Sequence, residues 1–491
     1  MSEPTALRPL GALELYSSTR HHIGIYLCVT ITARYQLPAN TSIADQEAAL
    51  TAALASVVQD QPLLRVGILK QDTCKPTFSH VAHINLRNHI EWRSSNAQTS
   101  DEYEAEVAAT QGWLHDQRWP DIETRPPWKI IVIRPADGVF SRPQLDVMFG
   151  YHHALADGTG GKEFHQHLLA ALKAQGVTPI TGDPAIELSF PEVPELPESL
   201  EEVIGFKNTY PFLARTLWDM IAPSFLKSRK ALPWTANPIC LTNPYKTRVR
   251  PLDLDSDILQ SLIAASRDNS TTLTGLLHAL ILTSLSRRLP ADQASSFSST
   301  TPINLRPWLS PSANPALKAK LRALVTTAQT SHPAPVVAAL RDPSATDQLI
   351  WQSARRLRQD LTQSTATLPV DDVAGLLPLI PDMFAFWRSK EGKPRGATWE
   401  VSNLGVLRQA GGGGDGDRDA GCWSITRSLF TNGAMVAGPA IGLNAISVEG
   451  AGLTVAVTWQ EGDVEEELVE GVGSDALAFA KRWYETGKFL E

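Results

Sequence analysis

Two adjacent histidines, followed at a fixed distance by an aspartate and a glycine, are the residues of this sequence best suited to chemistry. His152, His153, Asp157 and Gly158 form the pattern His-His-x-x-x-Asp-Gly. Because the pKa of histidine lies near neutrality, a ring nitrogen can take a proton from a hydroxyl or amine as it attacks a carbonyl. The alternative is a pair of core or metal-site histidines. Four fixed positions favour the functional interpretation, a general base.

The residues around this motif predict a strand that ends at the histidines and a helix that follows them. The period of two across residues 145–153 puts His153 on the apolar face and His152 on the other, so only one of them can face a substrate. Residues 162–175 have helical spacing, and Gly176 ends them. A strand, a turn and a helix would therefore place one imidazole at the end of a strand.

Further along the chain, alternation predicts a central strand at residues 23–33 and an antiparallel pair at 128–133 and 145–151. Residues 318–358 are predicted to be mostly helical, and residues 443–448 and 453–459 to form a hairpin. The glycine-rich residues 411–416 predict a flexible surface loop. Three residues are predicted helix N-caps: Ser42, Thr99 and Ser474.

The motif and its flanking segments resemble the chloramphenicol-acetyltransferase-like superfamily, which includes fungal alcohol acetyltransferases, plant-type acyltransferases and condensation domains. The resemblance is strongest to the fungal alcohol acetyltransferase branch, and its segments span most of the chain in the expected order. Besides the histidine motif, these segments are Arg-Pro-Leu-Gly-Ala-Leu-Glu at 8–14, Arg-His-His-Ile-Gly-Ile-Tyr at 20–26, Thr-Thr-Leu-Thr-Gly-Leu-Leu-His at 271–278, Thr-Pro-Ile-Asn-Leu-Arg-Pro at 301–307 and Ser-Asn-Leu-Gly at 402–405.

This resemblance implies a mixed α/β fold of two chloramphenicol-acetyltransferase-like lobes, with the active-site channel between them. Residues 1–178 are expected to form the N-terminal lobe with the histidine motif, and residues 201–491 the C-terminal lobe. The proline-rich residues 179–200 are expected to connect the two. The acyl donor would enter one mouth of the channel and the acceptor the other.

The resemblance also implies direct attack of the acceptor on a thioester, with no acyl-enzyme. His153 matches the second histidine of the family and is expected to be the general base, whereas His152 is expected to be structural. Metal catalysis fits poorly, because the motif lacks His-Glu-x-x-His spacing and no cysteine cluster supplies ligands. Serine-hydrolase chemistry lacks its Gly-x-Ser-x-Gly elbow.

In the family, the aspartate of the motif forms an ion pair that shapes the site. Its expected partner here is Arg306, in the segment that begins at Asn304, because a guanidinium fork suits a rigid carboxylate pair. Asp157 is therefore assigned chiefly a structural role beside His153, and orientation of that histidine is the alternative. Gly158 is expected to permit a tight turn.

Four residues are candidates for contact with the substrate or the tetrahedral oxyanion. Ser402 and Asn403 match the second signature of the family, although the plant-type Asp-Phe-Gly-Trp-Gly is absent, and one such donor contributes about 3 kcal/mol. The alternative for this pair is a turn at a strand end. Tyr26 and His22 are acceptor-pocket candidates, and for His22, as for the neighbouring His21, an exposed loop is the simpler alternative.

The co-substrate implied is acetyl-CoA or another acyl-CoA, with no permanently bound cofactor and no metal. Lys246, Arg248 and Arg250 are candidates for holding its phosphates, and a solvated basic strand edge is the alternative.

Length and composition allow two ordinary domains or one two-lobed domain, and two lobes are expected. The chain has 491 residues, of which 43% are hydrophobic, and a formal net charge of -8 without a lysine and arginine tract, which argues against nucleic acid. Four scattered cysteines and the absence of a signal-like N-terminus predict a cytoplasmic protein. Residues 201–234 are rich in aromatic and apolar side chains, and predict either a helix over the lobe interface or peripheral contact with a membrane or lipid droplet.

The leading hypothesis is an acyl-CoA-dependent O-acyltransferase that acetylates an alcohol, such as a lipophilic or specialised metabolite. One alternative is a stand-alone condensation enzyme that forms an amide or ester from a carrier-protein thioester. The other is a binding or cyclising protein that keeps the fold without acyl transfer. The acceptor, the acyl-chain length and the oligomeric state are left open by the sequence.

Overall fold

The computed structural model describes residues 4–39, 41–175, 186–221, 233–311, 313–317, 320–409 and 422–490. The predicted glycine loop at 411–416 lies outside these residues. So does the first part of the predicted connector.

The described strands belong to four sheets, of which two are large. In chain order the strands are β1 (Thr5–Pro9), β2 (Val29–Gln36), β3 (Val66–Leu69), β4 (Thr77–His80), β5 (His83–Asn85), β6 (Ile90–Ser94), β7 (Trp128–Arg134), β8 (Gln144–Tyr151), β9 (Glu187–Ser189), β10 (Thr247–Leu254), β11 (Phe297–Asn304), β12 (Val325–His332), β13 (Trp399–Leu407), β14 (Ser424–Asn432), β15 (Ile441–Val448) and β16 (Leu453–Gln460).

Helices cover both large sheets, as the mixed α/β prediction requires. They are α1 (Ala12–His22), α2 (Ile43–Asp60), α3 (Ser100–His115), α4 (Gly158–Gln175), α5 (Leu200–Val203), α6 (Tyr210–Ile221), α7 (Ser256–Asp268), α8 (Leu273–Arg288), α9 (Ala334–Arg341), α10 (Asp347–Thr367), α11 (Met383–Arg388) and α12 (Glu466–Thr486).

Hydroxyl side chains begin several of these helices. Ser42 accepts a hydrogen bond from the backbone N–H of Asp45, and Thr99 accepts one from Glu102, so both predicted N-caps are confirmed. The third prediction is wrong, because Ser474 lies inside α12, which begins eight residues earlier at Glu466.

The first large sheet carries the histidine motif and has the strand order β14-β2-β8-β7-β6. The predicted antiparallel pairing of β7 with β8 is confirmed. The predicted central strand exists, but it runs from Val29 to Gln36 and not from residue 23, because α1 and a turn occupy the chain before it. Val29 at the start of β2 lies opposite Tyr151, the last residue of β8. The core of this lobe packs between the sheet and helices α2 and α4.

The second large sheet has the strand order β10-β16-β15-β13-β11-β12 and forms the C-terminal lobe. Strands β15 and β16 form the predicted hairpin. The prediction of helix across residues 318–358 is wrong at its start, because β12 occupies Val325–His332 before α9 and α10. In β12 every second residue is buried, a period of two within a polar segment that hydrophobicity alone does not reveal.

One strand crosses between the lobes. β14 comes from the C-terminal part of the chain, yet it pairs antiparallel with β2 in the first sheet, with Asn432 opposite Val29. The lobe boundary predicted at 179–200 therefore does not separate the two sheets completely. In the described part of that connector, β9 pairs with β5, and the residues between β9 and α5 form no regular element.

Apolar side chains are exposed on α6. Tyr210 is 89% exposed and Trp218 is 52% exposed. Within the described ranges, no helix combines the length and the apolarity needed to span a membrane. Peripheral contact and the cytoplasmic location remain predictions.

Candidate active site

The histidine motif forms a short loop between β8 and α4. The backbone N–H of Leu155 donates to the carbonyl of His152 at 2.9 Å, and the Tyr151 hydroxyl donates to the carbonyl of Asp157 at 2.8 Å. Tyr151 is fully buried at the end of its strand. These two hydrogen bonds hold the loop against the sheet, so the backbone that carries the side chains of the motif is rigid.

His152 lies inside the protein. It is 0% exposed, and its Nδ1 accepts a hydrogen bond of 3.0 Å from the backbone N–H of Ala154. Its ring packs against that of His21, with 4.8 Å between the ring centres. Burial, and then the neighbouring charges, hold the pKa of His152 well below its ordinary value. These contacts use the side chain of His152 to hold the loop.

His153 is more accessible than His152 and packs beside Tyr26, with ring centres 5.8 Å apart. Its buried Nδ1 forms no hydrogen bond of normal geometry with any described residue. The backbone groups of His153 and Ala156 act on the imidazole and raise its pKa, against the effect of burial.

The pKa of His153 is lowered to about 4, first by burial and next by the charge of Arg20. The carboxylate of Asp157 acts in the opposite direction but does not offset these two effects. His153 is therefore neutral at pH 7, the form that can accept a proton.

Asp157 and Arg306 form a bidentate ion pair across the two lobes. Arg306 Nη1 donates to Asp157 Oδ2 at 2.9 Å, and Nη2 donates to Oδ1 at 3.2 Å. The backbone N–H groups of Gly160 and Leu324 donate to the same carboxylate, each at 2.8 Å. Burial alone would raise the pKa of Asp157, but Arg306 and these N–H groups lower it below its ordinary value.

Asn304 completes this arrangement from the C-terminal lobe. Its Oδ1 accepts hydrogen bonds from the backbone N–H of Arg306 at 3.0 Å and from Arg306 Nη1 at 3.2 Å. The four hydrogen bonds that reach Asp157 leave its oxygens directed at Arg306 and the backbone, so the carboxylate shapes the loop that carries His153.

Gly158 has a different role from the expected tight turn. It is the first residue of α4 and does not have a left-handed backbone conformation. A Cβ at this position would lie 2.8 Å from Leu404 Cδ2 and 3.1 Å from Phe430 Cζ. The close approach of β13 and β14 to the motif thus favours glycine at this position.

The C-terminal lobe presents β13 to the motif. Because side chains alternate along a strand, Glu400 and Ser402 share one face and Asn403 lies on the other. Asn403 donates from Nδ2 to Thr274 Oγ1 on α8 at 3.1 Å, and its Oδ1 accepts from Gly405 N–H at 2.9 Å. The structure thus turns the side chain of Asn403 toward α8 from within β13, and its assignment as an oxyanion candidate stays a prediction. Ser402 remains a candidate on the face of Glu400.

Tyr26 connects the two lobes at this point. Its hydroxyl donates to Asn432 Oδ1 at 3.0 Å, and Asn432 Nδ2 donates to Glu400 Oε1 at 3.3 Å. Above the Tyr26 ring lies the guanidinium of Arg20, 4.5 Å from the ring centre. The candidate site therefore includes Arg20, Glu400 and Asn432, which the sequence interpretation did not select. Arg20 belongs to the segment 20–26 that carries part of the family resemblance, so the sequence offered a signal for it. No local pattern indicated Asn432.

The tandem histidines at 21 and 22 end α1 and do not form the loop given as the alternative. His21 is buried, its Nδ1 donates to Gln71 Oε1 at 3.1 Å, and burial lowers its pKa to about 4. His22 is exposed and its ring meets the edge of Phe384, with centres 5.6 Å apart. His21 thus supports His152, and the structure does not bring His22 into contact with Tyr26 or His153.

Two of the three candidate phosphate-binding residues already have acidic partners. Lys246 Nζ lies 3.0 Å from Asp116 Oδ2, and Arg248 Nη2 lies 2.5 Å from Glu461 Oε2. Arg250 is exposed on β10. These positions match the basic strand edge given as the alternative, and the assignment of a CoA site to them stays a prediction.

Within the part of the chain that the structure describes, no group of three or more histidine, cysteine or acidic side chains is arranged to hold a metal ion.

Known proteins match this chain over almost its whole length. The family model described as alcohol acetyltransferase matches residues 9–471. A probable alcohol acetyltransferase of Fusarium pseudograminearum, FCK4, is 30% identical over 487 residues, which cover 96% of this chain and 94% of that protein. A probable alcohol acetyltransferase of Aspergillus fumigatus, crmB, is 25% identical over 492 residues. This match covers 96% of this chain and 99% of that protein.

Solved structures share the fold over almost the whole chain. The TRI3 trichothecene 15-O-acetyltransferase of Fusarium sporotrichioides matches with a TM-score of 0.66 at 13% identity, over 96% of this chain and 94% of that one. The condensation domain of the monacolin K polyketide synthase MokA matches with a TM-score of 0.58 at 12% identity. This match covers 99% of this chain and 100% of that domain. The two-lobed fold expected from the sequence is confirmed, and the chain is an acyltransferase that belongs to the alcohol acetyltransferase family.

Proposed function

We propose that this protein transfers an acetyl group from acetyl-CoA to the hydroxyl of a small-molecule alcohol, with His153 as the general base. The observation that carries this proposal is the environment of His153. Its Nδ1 is buried, its pKa of about 4 keeps the imidazole neutral at pH 7, and the side chain retains some solvent exposure.

In this reaction Nε2 of His153 takes the hydroxyl proton as the alcohol oxygen attacks the thioester carbonyl. The tetrahedral intermediate then collapses, the carbon–sulfur bond breaks, and the proton passes from the imidazolium to the departing thiolate. The products are an ester and free CoA, and no acyl-enzyme forms. A hydroxyl such as that of Ser402 would stabilise the oxyanion, a contribution of about 3 kcal/mol.

The donor and the acceptor rest on membership of the family. Alcohol acetyltransferases as a class require an acyl donor and a small-molecule alcohol, and acyl-CoA is the simplest donor for a chain of this family. A structural relative acts at the 15-hydroxyl of a trichothecene by its name. A hydroxyl on a specialised metabolite is therefore the acceptor class we propose.

The test is release of free thiol from acetyl-CoA by purified protein, with 1-octanol, benzyl alcohol, cyclohexanol and benzylamine as acceptors. We expect release that requires an alcohol and falls by about 10²-fold to 10⁴-fold in His153→Ala, the range typical for loss of a general base. His83→Ala is the matched control, since His83 is an exposed histidine on β5 far from the motif in sequence, and it should keep full activity.

Full activity in His153→Ala would remove the general-base assignment. No release from acetyl-CoA by folded protein, but release from an acyl carrier protein thioester, would instead favour the condensation-type alternative.

A further inference from the structure

Arg20, a cation with no ion-pair partner within 4.0 Å among the described residues, lies near the proposed base. Its guanidinium, on the last turn of α1, lies 4.4 Å from the ring centre of Tyr16, 4.5 Å from that of Tyr26 and 5.8 Å from that of Trp387. An arginine has five N–H donors, yet its hydrogen bond here is one of 3.4 Å from Nη2 to Ser17 Oγ. Its buried Nε has no partner among the described residues.

No carboxylate within the described ranges comes within the 4.0 Å of an ion pair with Arg20. A half-buried charge with unused donors is costly unless something else supplies the acceptors. The three aromatic rings stabilise the cation from their faces but accept no hydrogen bonds in its plane. The edge of the guanidinium is therefore available to a ligand.

Arg20 is close enough to His153 to contact the same small molecule. Tyr26 lies between them, 4.5 Å from the guanidinium carbon and 5.8 Å from the imidazole centre, which limits their separation to about 10 Å. The charge of Arg20 acts to lower the pKa of His153, of Tyr26 and of Glu400, so the guanidinium lies near all three groups.

Glu400 is the acidic residue near Arg20 and Tyr26. Its oxygens accept hydrogen bonds from neutral donors, Asn432 Nδ2 at 3.3 Å and Thr300 Oγ1 at 3.2 Å. Burial raises the pKa of Glu400 to about 7, against the opposing effects of Thr300, Arg20 and Asn432. Glu400 thus does not neutralise Arg20 as an ion-pair partner, and its own charge is easily lost near neutral pH.

We propose that Arg20 binds a carboxylate of the acceptor, so that the preferred substrate is an alcohol that also carries a carboxylate group. The proposal rests on the acyl transfer proposed above and names the substrate class of that site. A guanidinium fork binds a carboxylate through two parallel N–H···O bonds. Tyr16, the least buried of the three rings, would pack against the apolar body of the acceptor, and the hydroxyl of the acceptor would reach His153 within the distance set above.

Binding of a carboxylate at Arg20 also changes the protonation of Glu400. The groups that face Glu400 are Arg20, Tyr16 and Tyr26 from the N-terminal lobe, Thr300 on β11 and Asn432 on β14. A second negative charge at Arg20 favours the protonated form of Glu400, so binding takes up a proton. The affinity for the carboxylate should therefore rise as the pH falls through about 7.

The experiment is calorimetric titration of wild-type protein with 2-, 3- and 4-(hydroxymethyl)benzoate and with the matching methylbenzyl alcohols, which lack the charge. We expect at least one benzoate to bind ten-fold or more tightly than its uncharged partner. Arg20→Gln should abolish this preference, and Arg20→Lys, which keeps the charge without the fork, should keep part of it. Glu400→Gln should keep the preference and lose its pH dependence.

Equal binding of the charged and uncharged probes to the wild type, or an unchanged preference in folded Arg20→Gln, would overturn the proposal. If Arg20→Gln does not fold, the proposal is tested by Arg20→Lys and by the pH dependence of binding to the wild type. An unchanged preference in Arg20→Lys together with binding that does not vary with pH would then overturn it. Calorimetry needs no turnover, so it is independent of the thiol-release assay. Thiol release that requires His153 but shows no preference for a carboxylate would overturn this inference and leave the proposed function intact.

Discussion

Replacing Asp157 by Asn tests how the two lobes are held together at the motif. The carboxylate accepts four hydrogen bonds, two from Arg306 and one each from the N–H groups of Gly160 and Leu324. In either orientation of the asparagine, its NH₂ group replaces an oxygen that accepts two of them. Two acceptor contacts then become contacts between donors.

The size of the effect follows from these contacts. A hydrogen bond to a charged group contributes about 1.5–3 kcal/mol, and breaking one side of a buried ion pair costs about 3–5 kcal/mol. Glu163 lies 3.5 Å from Arg306 Nε and can offset part of the lost charge. We therefore expect Asp157→Asn to lower the free energy of unfolding by about 3 kcal/mol, the lower end of that range.

Urea-induced unfolding at pH 7, followed by tryptophan fluorescence, measures this loss. Because the pKa of Asp157 is lower in the folded state, its contribution is fully present above the unfolded carboxyl pKa of about 4 and is lost as the pH falls through the folded value. Glu163→Gln is the matched control, since it removes a partly exposed partner of the same arginine and should cost less than about 1 kcal/mol.

Activity gives a second measurement on the same variants. A shift of about 1 Å in the loop that holds His153 is expected to lower kcat/KM by about 10²-fold. The double variant Asp157→Asn with Arg306→Gln should lose less stability than the two single losses added together. An unfolding free energy within about 1 kcal/mol of wild type for Asp157→Asn would refute the view that this pair fixes the motif.

Two further predictions concern packing and pH. Gly158→Val should abolish activity and destabilise the protein by about 1–3 kcal/mol in urea unfolding, because its Cβ would lie 2.8 Å from Leu404. Gly138→Ala is the comparison variant: nothing lies within 4 Å of its added Cβ but its φ is positive, so its loss of stability reports backbone strain without a clash. Stability should also fall between pH 6.5 and about 4, by up to about 1.4 kcal/mol per group for each pH unit, as measured by thermal unfolding across this range. Stability falls toward low pH because the pKa values of several buried histidines are lowered in the folded state, so that the unfolded chain binds more protons. A stability that does not change across this pH range would contradict the prediction. These histidines are His21, His89, His115, His153, His165 and His332.

The sequence predicted the parts of the fold in which a local pattern and the tertiary structure agree. The strand before the histidines, the pairing of β7 with β8 and the hairpin of β15 with β16 all follow from alternation and turn residues. The strand β12 was missed because its buried residues are mainly threonines and a histidine, which hydrophobic periodicity does not register. The bounds of β2 were misplaced because the preceding helix ends in polar residues without a clear stop.

For the candidate site, the motif located His152, His153, Asp157 and Gly158, and the resemblance supplied Arg306 as the partner. The remaining side chains come from distant parts of the chain and meet only in the folded protein. Glu400 is a single acidic residue in an otherwise uncharged strand, and Asn432 ends a strand that joins the opposite lobe. Neither position has a local signature, so one sequence without the fold could not select them.

The crossing strand β14 explains why the site could not be assigned to one lobe. Its last residue, Asn432, pairs with Val29 on β2, and the backbone N–H of Asn432 donates to Asn444 Oδ1 on β15 at 3.2 Å. The same side chain accepts from Tyr26 and donates to Glu400. Because the sheet register fixes the position of Asn432, β14 helps to set the distance between His153 on one lobe and Glu400 on the other. The geometry on which the proposed recognition of the acceptor depends thus involves a strand that contributes no part of the sequence motif.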